Sequence, residues 1–367
     1  MGKEQVPQAI REIRINPIVP TESVLIATAR SMRPRQSEEP APRDKRQHVE
    51  TCPFCRGNED RTPPEILRLP AAGDWGLRIV ENLFPVLGDD RNQSALVLFG
   101  LQQAIDGYGR HEIIIDHAQH GIAIHEMTES HLAMLFEAYQ IRISQLYELD
   151  MRLKYVLVFK NFGLAAGASM AHTHSQIIAL PVVPQNLQDE VSNSHAYFEK
   201  HHQCIFCTLI DETLTFETTI YDRDSGQIAR QINVGQYVVE HGKHFIAIKP
   251  FASRYEWEVH ILPLIHRSDF LDATEAELQD LARVMKRTMA RLDAVIGGAQ
   301  FNFFLHSRPR GKAYEDNAGS YHWHLEICPR TSIPSGFELG SGLYVNTISP
   351  ETAAAQLRAV KLAEDTQ

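Results

Sequence analysis

The chain has 367 residues, 43% hydrophobic and 22% charged, the ordinary mix of a globular protein with a full core and a length of two or three domain equivalents. Its formal charge of −10 argues against a general nucleic-acid binder, which carries a basic balance or stripe, so an anionic substrate must be met by locally placed positive groups. No run approaches the roughly 20 apolar residues that span a bilayer, and the N-terminus MGKEQVPQAIREIRINPIV lacks the apolar core of a signal peptide; a cytoplasmic protein with neither membrane nor nucleic-acid partner is expected.

In chain order, a charged, proline-containing stretch from Ser37 to Thr51 reads as a mobile loop, and it runs into Cys52-Pro-Phe-Cys55. In a cytosolic chain that spacing favours metal or redox chemistry over a disulfide. His120 follows in DHAQHG, and from Thr128 Leu132, Leu135, Phe136, Tyr139, Ile143 and Leu146 recur at three- and four-residue steps, the period of a helix buried on one face. YVLVF (155–159) reads as a strand, and a glycine-rich stretch leads into Ala-His172-Thr-His174-Ser-Gln176. A polar stretch rich in Asn, Gln and His, roughly 184–203, reads as a linker.

The same order then returns. Cys204-Ile-Phe-Cys207 is followed by His266 and by a helix opening on Thr274-Glu-Ala-Glu277, a capping box, with Leu278, Leu281, Val284, Met285, Met289 and Leu292 on its apolar face. The strand FNFFLH (301–306) precedes His322-Trp-His324. Each pair of equivalents is separated by about 150 residues, so the chain reads as two tandem halves, 1–183 and 204–367, joined by 184–203. Strands and helices without regular βαβ alternation predict an α+β fold of mostly antiparallel sheets with one main helix packed on each half. Cys328 is read as a packed thiol.

Tetrahedral zinc takes four nitrogen or sulfur ligands. The first half offers Cys52, Cys55, His120 and His172, and the second Cys204, Cys207, His266 and His322. Two structural zinc ions are expected, since four protein ligands leave no open position. On a strand His172, His174, Gln176 and Ile178 share one face, with neighbours about 6.6 Å apart, which leaves His174 without a metal duty. Gly163, Gly167 and the small residues between them allow backbone N–H groups to approach an anion, and Ser169 and Gln176 can donate to phosphate oxygens. His174 is then the candidate nucleophile, an imidazole whose one N–H is held by an acceptor while the other nitrogen attacks phosphorus.

Asn161-x-Gly163, Gly167-Ala-Ser169 and His172-x-His174-x-Gln176 together resemble the galactose-1-phosphate uridylyltransferase family of the histidine-triad superfamily, and the resemblance covers nearly the whole chain. It implies that His172 is a zinc ligand, His174 the nucleophile and Gln176 its assistant, with Asn161, Gly167 and Ser169 at the substrate. "ARSMRP" resembles the family's paired arginines, giving Arg30 and Arg33 as substrate contacts, and "ENLFP" its nucleotide-contacting asparagine, here Asn82. "GFELG" resembles the segment that touches the hexose, giving Phe337 and Glu338, a segment that can come from the partner subunit of a dimer. The implied reaction is ping-pong transfer of a nucleoside monophosphate from a nucleotide sugar to a sugar 1-phosphate, through a covalent nucleotidyl-His174.

The triplet His-Thr-His followed by Ser departs from the family's usual His-Pro-His-Gly. The second Cys-x-x-Cys and YHWHLE resemble the ADP-glucose phosphorylase-like branch, making adenylyl transfer to phosphate the alternative; a nucleotide hydrolase or a zinc-stabilised nucleotide-binding protein is a further one. His322-Trp-His324 has no glycine-rich approach, so His324 is expected to be structural at most. Some relatives hold a metal with a Glu and three histidines in that half, which leaves a site using His324 or Glu326 open.

Overall fold

The computed structural model describes residues 10–32, 43–89 and 97–363. In chain order the strands are β1 (Arg11–Ile15), β2 (Ser23–Ala27), β3 (Glu65–Leu69), β4 (Leu77–Glu81), β5 (Val97–Phe99), β6 (Gln102–Ala104), β7 (Arg110–Ile115), β8 (Tyr155–Phe162), β9 (His174–Leu180), β10 (Thr218–Tyr221), β11 (Ile228–Ile232), β12 (Val238–His241), β13 (Phe245–Ile248), β14 (Val259–Pro263), β15 (Phe301–His306), β16 (His324–Pro329) and β17 (Tyr344–Asn346). The helices are α1 (Glu129–Leu149), α2 (Gln185–His201), α3 (Ile205–Thr215), α4 (Glu275–Ile296), α5 (Gly336–Ser341) and α6 (Pro350–Ala359).

Ten strands form one sheet in the order β12-β13-β14-β16-β15-β8-β9-β7-β4-β3. Five come from each copy of the repeated pattern, and they meet at an antiparallel seam, β8 with β15, where Asn161 lies opposite Asn302 and Phe159 opposite Phe304. The expected α+β class with mostly antiparallel sheets is therefore present; a parallel strand pair, β2 with β17, lies in a separate three-stranded sheet with β1.

The two long helices start where the sequence signals place them. Thr128 accepts from the His131 N–H at the head of α1, and Thr274 and Glu277 close a full capping box on α4. Their apolar stripes, among them Leu135, Phe136 and Tyr139 of α1 and Leu281, Val284 and Met285 of α4, pack with one face of the sheet into a single core. Side chains paired across antiparallel strands share a face, so the register of Phe159 with Gln176 puts Asn161, His174 and Gln176 on the side away from these helices.

Over most of its length the stretch 184–203 is the helix α2. Leu187 and Val191, one turn apart, bury into a second core with Tyr155, Phe206 and Tyr321, a stripe too thin to stand out among its polar neighbours. The stretch Ser37–Thr51 lies partly outside the described residues. Its described part is tied down, because His120 N–H donates to Gln47 O (2.9 Å) and Gly121 N–H to Arg46 O (2.9 Å). Among the described residues, no helix is long and apolar enough to cross a membrane.

Leu281 is fully buried between helix and sheet. Leu281→Ala is expected to cost about 2–5 kcal/mol through lost burial and an unfilled cavity, read as a lower denaturant midpoint with unchanged slope.

Candidate active site

All five cysteines are free thiols, and four of them sit in two clusters with histidine. Ligand atoms of Cys52, Cys55, His120 and His172 lie within 4.8 Å of one another, as do those of Cys204, Cys207, His266 and His322. In both, the histidines turn Nδ1 to sulfur: Cys55 Sγ is 3.4 Å from His120 Nδ1, and Cys207 Sγ is 3.4 Å from His266 Nδ1 and 3.5 Å from His322 Nδ1. Three of the opposite nitrogens donate to carbonyls, His172 Nε2 to His117 O at 2.8 Å, His266 Nε2 to Ala318 O at 2.8 Å and His322 Nε2 to Pro263 O at 3.0 Å, while His120 Nε2 faces Asp44 Oδ2 at 3.4 Å. A proton held on Nε2 leaves the Nδ1 lone pair aimed at the thiols, as metal-ligating histidines require. Two sulfurs and two imidazole nitrogens at this spacing fit a metal ion.

The chain leaves the first cluster at His172 and enters β9. There His174 is 5% exposed, and its Nδ1 lies 2.8 Å from its own strand's His172 O. That hydrogen bond puts the proton on Nδ1 and the lone pair on Nε2, which has no hydrogen-bond partner among the described residues. Burial first, and the nearby Lys160 charge second, push His174 below its ordinary pKa, which favours the uncharged ring. Phe54, inside the first Cys-x-x-Cys, packs 5.6 Å from the His174 ring.

Two supports escaped the sequence reading. Lys160, fully buried on the helix side of the sheet, donates to Asp116 Oδ2 (2.6 Å), Thr173 Oγ1 (2.8 Å) and His174 O (3.0 Å). It thus holds the His174 backbone from below. On the open face His111 Nε2 donates to Gln176 Oε1 (2.8 Å), while its Nδ1 accepts from Val86 N–H (3.3 Å). With its oxygen so engaged, Gln176 keeps its NH2 for a ligand. Asn82 stands beside the same ring, its Nδ2 donating to His111 Nδ1 at 3.3 Å and its Oδ1 accepting from Phe84 N–H at 2.9 Å. One histidine therefore joins Asn82 to Gln176, a link that neither motif reveals because it crosses from β7 to β9.

The glycine loop differs from the expected anion cradle. Gly163 and Gly167 take left-handed φ values of 86° and 82°, as their turn requires. The N–H groups of residues 165–168, however, are already bound: Ala166 and Ala168 donate to Gly163 O, Gly167 to Leu164 O, and Ala165 to Gln300 Oε1. They hold the turn and do not face a ligand. Ser169 is exposed at the loop's end.

Arg33 lies outside the described residues. Arg30 and Phe337 are exposed, and Glu338, on α5, is held below the usual carboxylate range chiefly by hydrogen bonds that outweigh the effect of its burial, with the Arg30 charge helping. Among the described residues no hydrogen bond or ion pair joins Arg30, Phe337 or Glu338 to His174.

The second His-x-His repeats the backbone device, with His324 Nδ1 3.1 Å from His322 O. Its Nε2 is not free. It faces Glu326 Oε1 (3.5 Å) and Glu190 Oε2 (3.9 Å), and Glu190 also meets His306 Nδ1 at 2.9 Å. Glu190, His306, His324 and Glu326 thus form a third group with ligand atoms within 4.8 Å.

With this geometry in hand, comparison with known proteins is informative. Residues 3–184 match the family described as galactose-1-phosphate uridyl transferase, N-terminal domain. Over 353 residues the chain is 31% identical to ADP-glucose phosphorylase of Arabidopsis thaliana, covering 96% of this chain and 93% of that protein. It is 26% identical to the galactose-1-phosphate uridylyltransferase of Thermotoga maritima, covering 95% and 98%. A crystal structure of an ADP-glucose phosphorylase from Arabidopsis thaliana with bound ADP-glucose superposes with a TM-score of 0.79 at 29% identity, covering 96% of this chain and 100% of that one. The fold and its relatives make this chain a nucleotidyltransferase. It belongs to the galactose-1-phosphate uridylyltransferase family.

Lys160 and Asp116 are both fully buried. Lys160→Met leaves the carboxylate without its cation and is expected to destabilise the fold by about 3–5 kcal/mol, measured by chemical denaturation.

Proposed function

We propose that the protein transfers a nucleoside monophosphate between sugar 1-phosphates by a ping-pong mechanism through a covalent nucleotidyl-His174. The observation that carries this is the His174 ring, its Nδ1 proton bound to His172 O and its Nε2 free. In the first step the Nε2 lone pair attacks the nucleotide's α-phosphorus, and the P–O bond to the sugar 1-phosphate breaks, releasing that product. In the second, an oxygen of the acceptor phosphate attacks the same phosphorus and the P–N bond breaks. The Gln176 NH2, turned outward by His111, donates to the phosphoryl oxygen as charge develops. Asn161 and Ser169 are read as further contacts to the substrate, and Asn82 as the contact to the nucleoside. One such centre per chain is expected, because carboxylates face His324 Nε2 where His174 has none.

The two Cys2His2 clusters are read as structural zinc sites. Zinc bound there fixes the approach to β9 and leaves no coordination position for substrate. Such thiol sites suit the reducing cytoplasm. Arg30 and Arg33 are read as contacts to phosphate or nucleotide, and Phe337 and Glu338 as contacts to the hexose that can be made across a homodimer.

A second reading, adenylyl transfer from ADP-glucose to phosphate, is favoured by the 31% identity to ADP-glucose phosphorylase and by the second Cys-x-x-Cys.

Ping-pong chemistry predicts exchange of labelled sugar 1-phosphate into the nucleotide sugar with no second substrate present, and its loss in His174→Gly. Exchange that survives in that variant contradicts the assignment. Comparing UDP-glucose with ADP-glucose in the same assay separates the two readings. Metal analysis is expected to return close to two zinc ions per chain, and chelation to lower the thermal midpoint; a metal content near zero refutes the ligand sets. Sedimentation is expected to give twice the mass of the 41.6 kDa chain.

A further inference from the structure

The glycine loop beside His174 is not anchored by its own half alone. Asn302, on β15, lies directly across the seam from Asn161. Its Nδ2 donates both hydrogens, one to Asn161 Oδ1 at 2.8 Å and one to Ala166 O at 2.8 Å. Reversing the Asn302 amide would set its oxygen against two acceptors, so these partners fix its orientation. Just before β15, Gln300 Oε1 accepts from Ala165 N–H at 2.8 Å. The Gln300 side chain lies so close to Gly163 that a Cβ there would stand 2.5 Å from its Cγ and Oε1, a contact that only glycine permits.

We propose that Gln300 and Asn302 are positioning residues for the His174 centre, and that the second half of the chain thereby completes the catalytic unit of the first. The proposal rests on the reading of His174 as nucleophile. Asn302 occupies the oxygen of Asn161 and leaves the Asn161 NH2 directed away from the seam, on the face that carries His174 and Gln176. Gln300 and Asn302 together grip two successive residues of the loop, Ala165 by its N–H and Ala166 by its carbonyl. The loop's remaining hydrogen bonds are internal, so without Gln300 and Asn302 the turn keeps its shape but loses its placement relative to β9. Asn161 and Asn302 also line a cavity of about 440 Å3 at the seam.

The chemistry required at each position differs, and that makes the proposal testable. Position 302 must donate, and position 300 must accept. Asn302→Asp keeps the shape and removes the donors. Gln300→Leu removes the acceptor, and Gln300→Glu restores it. The readout is the single-turnover rate constant for releasing sugar 1-phosphate from the nucleotide sugar, a property of each folded site and unaffected by the fraction folded. Asn302→Asp and Gln300→Leu are expected to slow this step at least about tenfold, the scale of a misplaced reacting group, with little change in KM. Gln300→Glu is expected to recover most of the rate lost in Gln300→Leu.

Wild-type rate constants in Asn302→Asp and Gln300→Leu, or equal losses in Gln300→Glu and Gln300→Leu, overturn the proposal while the nucleophile reading stands. A wild-type protein that releases no sugar 1-phosphate from either UDP-glucose or ADP-glucose refutes the nucleophile reading itself, and the proposal falls with it.

Discussion

Everything at this centre depends on one imidazole being pinned so that another is left free. His172 turns Nδ1 to the thiols of Cys52 and Cys55, at 3.7 and 3.6 Å, and gives its Nε2 proton to His117 O. That fixes the peptide leaving His172, whose carbonyl receives the Nδ1 proton of His174. The tautomer of the second ring is thus decided by the anchoring of the first. Lys160 adds a second constraint from beneath, binding the His174 carbonyl and the side chain of the intervening Thr173. Phosphoryl transfer asks a protein mainly for position and electrostatics, and a strand held at successive residues supplies position.

The duplication shows how little must change to alter what such a device does. Both His-x-His elements follow a Cys2His2 cluster, and in both the second ring donates Nδ1 to the first residue's carbonyl. The divergence lies in what meets the far nitrogen. In the first half the ring's neighbours on the open face are amides, Asn161 and Gln176. In the second they are carboxylates, Glu190 and Glu326, with Arg254 Nη2 2.5 Å from Glu326. A lone pair facing amide donors can meet an anion; a nitrogen facing carboxylates is engaged or repels one. The shared backbone scaffold persists, and the side chains on one sheet face set the chemistry.

Much of this was legible in the sequence because it is written locally or periodically. The Cys-x-x-Cys pairs, the His-x-His triplets and their offset of about 150 residues announced both cysteine–histidine clusters, and the three- and four-residue apolar steps announced α1 and α4 with their capping threonines. What escaped is what only register creates. Lys160 is an unremarkable strand residue until β8 pairs with β9, and His111 is one of eighteen histidines until β7 brings it to Gln176. Asn302 reaches Asn161 across 141 residues of chain. The helix α2 was hidden because two buried residues in a polar stretch make a weak period. The glycine loop was recognised, but its composition could not reveal that its N–H groups are spent on the turn and on Gln300.

The central claim is a bond between Nε2 of His174 and phosphorus. Mass spectrometry of protease fragments prepared at alkaline pH, after reaction with a nucleotide sugar, tests it most directly. The expected result is the mass of one nucleoside monophosphate on the fragment containing His174, with fragmentation placing it on that residue. The same mass on any other side chain, or product formation with no fragment modified at any time point, would contradict it.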